Sequence, residues 1–242
     1  DSMLELENLQ KSYGKIEALK GLNLKLKRKD IYGLLGPNGA GKTTTIKILA
    51  SLLKADSGEI RLDGRIFDPA LSANKQKVAY VPDQGFLYGK LSGEEHLNFY
   101  ADLYRMPVEG RREEMDRYFE LFEFEAYRHQ LVESYSAGTR RKLMLTQAFL
   151  VHPQILLLDE PLTSLDPLVS RKVSQEISRF AEKGGMVLLA THILDIARTI
   201  CRTIGVIVSG RMVREIGRSE NGGFPGSTEA LEALYFDTVQ NP

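Results

Sequence analysis

Four short segments carry the residues that could do chemistry, and they fall in a telling order. Gly36-Pro37-Asn38-Gly39-Ala40-Gly41-Lys42-Thr43 comes first, then Tyr135-Ser136-Ala137-Gly138-Thr139, then Leu156-Leu157-Leu158-Asp159-Glu160-Pro161, and last Thr191-His192. The first matches the phosphate-loop pattern G-x-x-x-x-G-K-[ST] at every defined position. Its glycines let successive backbone N–H groups converge on an anion, and a helix starting near Gly41 adds its positive dipole end. Lys42 is expected at the β- and γ-phosphates, the Thr43 hydroxyl on Mg²⁺, and the whole stretch from Gly36 to Thr44 against the nucleotide. Asp159, at the end of an apolar run, is expected to hold the same metal. Glu160 points to the other face and is placed to orient or deprotonate the attacking water, a role worth roughly 10²–10⁴-fold in rate.

Such residues need strands and helices to aim them. Ile31-Tyr32-Gly33-Leu34-Leu35 reads as a buried strand running into the glycine-rich loop, and residues 43–53 carry Ile46, Leu49 and Leu53 at helical spacing. Further buried strands are expected over 78–81, 155–158, 186–190 and 204–208. Near the start, Leu4/Leu6/Leu9 and Leu22/Leu24/Leu26 alternate with polar residues, which with Ile60-Arg61-Leu62 predicts a small antiparallel sheet. Between strands 78–81 and 155–158 the pattern turns helical: Leu97/Tyr100/Ala101/Tyr104 and Met115/Tyr118/Phe119/Phe122 form apolar stripes best explained by core packing. An α/β core with a helical lobe inserted over 85–152 follows. Residues 218–227 read as a linker, and 228–239 as a short terminal helix capped by Ser227 or Thr228.

Composition narrows the setting. The 242 residues, 43% hydrophobic, suffice for one large domain with an inserted lobe. No apolar run approaches the roughly 20 residues that cross a bilayer. Asp1-Ser2-Met3-Leu4-Glu5 predicts no signal peptide, with Met3 the expected native start. A single cysteine, Cys201, excludes an intrachain disulfide and suits a reducing cytosol. Thirty-two basic residues balance 32 acidic ones, which argues against a general nucleic-acid binder. The runs Lys25-Lys27-Arg28-Lys29 and Arg140-Arg141-Lys142 read as solvated turns and helix faces.

Asp159-Glu160-Pro161, preceded by Tyr135-Ser136-Ala137-Gly138-Thr139, resembles the ATP-binding subunit of an ABC transporter of the exporter type. The resemblance covers nearly the whole chain. It implies a P-loop NTPase (RecA-like) core over 3–84 and 153–217, an N-terminal antiparallel β subdomain, and an inserted α-helical subdomain over 85–152. Together these make an ABC ATPase domain over 3–217, with linker and terminal helix over 218–242. The Ser-x-Gly segment is that family's signature, at the start of a helix over 140–149, and is implied to contact the γ-phosphate of an ATP held by a second chain. Ser136 and Gly138 suit that role physically, as a small hydroxyl and open N–H groups at a helix N-terminus. The family usually has leucine, glycine and glutamine where this chain has Tyr135, Ala137 and Thr139.

Other positions take their roles from the resemblance alone. Tyr13 sits where the family places an aromatic that stacks on adenine, a contact worth about 1–3 kcal/mol per base in nucleic-acid systems. Asp166, in Thr163-Ser164-Leu165-Asp166-Pro167, resembles the loop that signals across the dimer, and His192 resembles the switch histidine at the γ-phosphate. In Val81-Pro82-Asp83-Gln84 the family commonly has glutamine directly after the proline, touching Mg²⁺; here Asp83 takes that place and Gln84 follows. Either is in reach of the metal, and Gln84 is the preferred of the two.

The implied function is a transport ATPase. Two chains, in a homodimer or a heterodimer, would sandwich two ATP molecules head-to-tail and pass the motion to a separate integral membrane permease, with this chain peripheral on the cytoplasmic face of the membrane. The expected docking groove runs beside residues 83–91, where Phe86, Leu87 and Tyr88 are either exposed anchors or core. A second class, a soluble ATPase of this family driving repair, ribosomal or regulatory machinery, usually shows two such engines per chain, long coiled-coil insertions or basic extensions. A non-hydrolysing ATP switch is disfavoured by Lys42, Asp159, Glu160 and His192.

Overall fold

Alternating leucines build the first sheet. The computed structural model describes residues 3–218, 223–224, 232–233 and 235–237. Strands β1 (Met3–Tyr13) and β2 (Ile16–Lys27) pair antiparallel, with Leu4 opposite Leu26, Leu6 opposite Leu24 and Leu9 opposite Leu22. Strand β3 (Ile31–Leu35) enters a second sheet, and the chain returns through helix α1 (Lys42–Leu49) to β4 (Ser57–Leu62) and β5 (Arg65–Ile66). The first sheet is ordered β2-β1-β4-β5. Its inward leucines join Tyr32 and Leu34 of β3 and Ile46, Ile48 and Leu49 of α1 in one core. Each such burial is worth roughly 1.5–3 kcal/mol.

The second half of the chain alternates strand and helix. After α2 (Ser72–Lys75) and β6 (Val78–Val81) come α3 (Gly93–Leu103), α4 (Arg111–Leu121) and α5 (Ala137–Leu150). Then follow β7 (Ile155–Asp159), α6 (Pro167–Glu182), β8 (Met186–Thr191), α7 (Leu194–Ile200), β9 (Thr203–Val208) and β10 (Arg211–Gly217). The second sheet runs β10-β9-β3-β8-β7-β6, parallel except for its edge strand β10. Of the two stripes, Met115, Tyr118, Phe119 and Phe122 are all buried in the core, with Leu97 and Ala101; Tyr100 and Tyr104 are half-buried, their rings stacked at 4.9 Å and the Tyr104 hydroxyl donating to Val78 O at 2.7 Å. Helix α3 starts on a full capping box, Ser92 with Glu95. Cys201 plugs the face of β3, since a Cβ built on Gly33 would lie 2.6 Å from its sulfur.

Several boundaries differ from the sequence reading. Helix α1 ends at Leu49, not 53, because Ser51 adopts φ 61° and the Leu52 and Leu53 amides turn back to the Lys47 carbonyl. Strands β5 and β10 and helices α6 and α7 were not foreseen. The first two are exposed edge strands with little hydrophobic signal. Of the terminal helix expected over 228–239, residues 232–233 and 235–237 are helical; the remainder, with its caps, lies outside the described residues.

Candidate nucleotide site

The parallel register delivers the site. Leu35 of β3 pairs with Thr191 of β8, and Asp159 of β7 with Ala190, so three strands end on one edge. The Gly36 amide donates to Thr191 O at 3.4 Å and the Glu160 amide to Ala190 O at 3.0 Å, which carries the ladder into the loops. Crevices at strand C-termini are where open α/β sheets bind ligands.

The phosphate loop is held tightly at both ends. A Cβ on Gly36 would sit 2.2 Å from Ile207 O, so only glycine lets the loop leave β3 against β9. Gly41, the N-cap of α1, has φ 110°, and a Cβ there would meet Ala18 O at 2.7 Å. Lys42 is 6% exposed, and its ammonium donates to the carbonyls of Gly36 at 2.6 Å and Pro37 at 2.9 Å. Burial lowers its pKa, against the opposing pull of Glu160 and Asp159. The Thr43 hydroxyl donates to Asp159 Oδ2 at 2.7 Å. Asp159 is 3% exposed, and burial raises its pKa; the Thr43 bond and Lys42 pull it down, while Glu160 and Asp83 add to the rise.

Glu160 is gripped from the neighbouring strand. Thr191 Oγ1 donates to Oε2 at 2.9 Å, the His192 amide donates to Oε1 at 2.9 Å, and His192 Nδ1 faces Oε1 at 2.6 Å. Its φ of 47° is left-handed, a costly conformation for a side chain of this size and one that clusters at functional sites. The carboxylate is thus fixed beside Asp159, with both of its oxygens bonded to the end of β8.

Not every predicted residue joins this cluster. Ser136 caps α5, its hydroxyl accepting from the Thr139 amide at 3.2 Å, and Gly138 lies against Ser164, whose carbonyl would be 2.7 Å from an added Cβ. Among the described residues neither hydrogen-bonds to Gly36–Thr43. Asp166 caps α6 through Val169 N at 3.0 Å. Tyr13 stands 48% exposed at the end of β1, with Lys11 Nζ 6.0 Å from its ring centre. Asp83 turns to Arg141 at 3.3 Å, whereas Gln84 is exposed and makes no hydrogen bond among the described residues. Glu232, Tyr235 and Phe236 border a cavity of about 470 Å³ beside Pro37, Asn38 and His192.

One open alternative is decided and one expectation needs correcting. Leu87 is buried at 3% while Phe86 and Tyr88 are exposed; their rings meet edge-on at 5.4 Å, and Tyr88 meets Phe99 at 5.0 Å. Arg141 belongs to no solvated face: it is buried at 3% against Pro82 and Asp83. Its spacing to Met144, Leu145 and Ala148, which share the buried side of α5, carried that signal. Thr191 was overlooked as a partner of Glu160, because a strand-end threonine has no distinctive pattern.

A phosphate cradle with paired oxygen donors at the adjoining strand end is the arrangement of a P-loop nucleoside triphosphatase. Thr43 and Asp159 fit Mg²⁺, which takes one or two hard oxygens from protein and the rest from phosphate and water. Comparison with known proteins carries the assignment further. Residues 19–163 match the family model described as ABC transporter. The linearmycin resistance ATP-binding protein LnrL of Bacillus subtilis (strain 168) is 31% identical over 211 residues, which are 87% of this chain and 68% of LnrL. A solved ATP-binding subunit of an ABC transporter superposes with TM-score 0.87 at 28% identity, covering 97% of this chain and 99% of that one. The ATP-binding cassette MJ0796, in a dimeric post-hydrolysis state bound to ADP and Pi, gives TM-score 0.79 at 27% identity over 88% of this chain and 98% of that one. The chain belongs to the ABC transporter family, as an ATP-binding and ATP-hydrolysing subunit.

Proposed function

We propose that this subunit, paired with a second ATP-binding subunit, powers export of an amphiphilic compound through a separate membrane permease, from the cytoplasmic face. The observation that carries the catalytic part is the fixed Glu160 carboxylate, one residue beyond the Asp159–Thr43 pair. In this reading the loop from Gly36 to Thr44 binds the phosphates, Lys42 neutralises charge that develops on them, and Tyr13 stacks on adenine. Thr43, Asp159 and Gln84 would hold Mg²⁺, which would screen the phosphate charge, and Asp83, engaged by Arg141, would stay off it. Glu160 takes the proton of the attacking water and His192 holds Glu160 and senses the γ-phosphate. Ser136 and Gly138 meet the nucleotide of the second subunit, and Asp166 sits at the contact between subunits.

Residues 3–84 and 153–217 serve as the core and 85–152 as the helical subdomain that carries the docking face. The exposed pair Phe86 and Tyr88, with Phe99, supplies its apolar anchors. Among the described residues no helix is long and apolar enough to cross a membrane, so the route for cargo belongs to the permease. The word resistance in LnrL's name supports export. A tagged pull-down from detergent-solubilised membranes is expected to recover a multi-span protein in near-equal amount. Recovery of ribosomal or repair factors instead would overturn the transport reading.

A further inference from the structure

Arg141 stands five residues beyond Ser136 on α5 and is 3% exposed. Its guanidinium donates to Pro82 O at 2.7 Å and to Asp83 O, and reaches Asp83 Oδ1 at 3.3 Å. Two of these acceptors are backbone carbonyls, so the planar fork fixes the course of the chain after β6, beyond what one ion pair would do. One turn further along α5, Met144 lies on the same loop: a Cβ on Gly85 would be 2.5 Å from its sulfur and 2.9 Å from Pro82 Cγ. Residues 82–85 are therefore seated on α5 at two points. The exposed Gln84 lies between them, and the helix they sit on is headed by Ser136.

We propose that Arg141 is a positioning residue: it ties the loop bearing Gln84 to the Ser136 helix, so that nucleotide bound at one chain's phosphate loop sets that chain's Ser136 for its partner. This rests on the two-subunit reading above. A helix moves as a rod, and five residues of it span only about 7.5 Å. A shift of the Pro82–Gln84 backbone therefore reaches Ser136 with little loss. Without the guanidinium the loop can follow the nucleotide while α5 stays behind.

The test uses Arg141→Met, which removes the donors and keeps most of the buried volume, alone and combined with Glu160→Gln. MgATP affinity of the isolated chain is expected to stay within about twofold, while kcat falls by about tenfold or more. Glu160→Gln alone should dimerise under saturating MgATP, and the double variant should remain monomeric. Dimerisation of the double variant equal to Glu160→Gln, with kcat of Arg141→Met unchanged, would overturn the proposal. A parallel fall in affinity, kcat and melting temperature would overturn it too, by reducing Arg141 to a folding role. A Glu160→Gln chain that never dimerises would sink the two-subunit reading itself, a separate result. Should Arg141→Met fail to fold, Arg141→Lys decides: it keeps the buried charge and stem but lacks the planar fork that spans the Pro82 and Asp83 carbonyls, and a loss of kcat at retained affinity is expected, with wild-type turnover overturning the idea.

Discussion

The phosphate loop keeps its reactive groups under cover, whereas the start of α5 leaves its groups in solvent. Lys42 and Asp159 are nearly inaccessible and already bonded, the first to loop carbonyls and the second to Thr43. Ser136 is exposed, and among the described residues its hydroxyl bonds only within its own helix, to the Thr139 amide and hydroxyl. A preorganised, dry half binds its ligand within one chain and loses little to rearrangement. In the proposed two-subunit arrangement, the exposed half would gain contacts to phosphate only when a second chain arrives. Bound ATP would then favour the associated state by the difference in contacts between the two states.

Breaking the covered half should have the largest effects. Glu160→Gln is expected to bind MgATP yet lower kcat by roughly 10²–10⁴-fold, and to elute as a dimer on a sizing column. Lys42→Ala removes the charge proposed to meet the phosphates and should cost roughly 10²–10³-fold in turnover; near-normal hydrolysis would refute the site. The exposed half answers differently. Ser136→Glu sets a like charge against phosphate and should weaken ATP-driven dimerisation by about 10²-fold, seen by light scattering, with the single chain's MgATP affinity intact. Tyr13→Ala should weaken ATP by about fivefold in a fluorescent-nucleotide titration, the low end of a stacking contribution.

The smallest effect concerns stability and carries a pH sign. Asp159 titrates above the ordinary aspartate value because it is buried, so the folded chain holds its proton more firmly than the unfolded one. Its contribution favours the fold at low pH and is lost as pH rises through the raised pKa. Asp159→Asn should therefore flatten that part of the melting curve against pH. At neutral pH it should raise the melting temperature of nucleotide-free protein by about 2–4 °C while abolishing turnover. A lower melting temperature would show that the Thr43 bond outweighs burial.

How legible each part was follows from what fixes its residues. The loop from Gly36 to Thr43 was readable throughout, because close backbone approach at Gly36 and a left-handed cap at Gly41 admit no other residue. Alternation of apolar and polar residues likewise located β1, β2 and β4, since one face of each is buried. The spacing of Val169, Val173, Ile177 and Ala181 also announced α6, and went unread. Arg141 was obscured by its neighbours Arg140 and Lys142, for a run of cations suggests solvent whatever the helix phase. Phe86, Leu87 and Tyr88 form a short apolar run with no period, so only packing could show that the middle one turns inward.

Cys201, sealed against β3 with its thiol pushed up by burial, has a practical consequence. Thiol reagents attack the thiolate, and a buried thiol offers neither access nor ionisation. The native chain is its own blank for labelling, so a spin label or fluorophore on one introduced surface cysteine would report distances between two copies with Cys201 left in place.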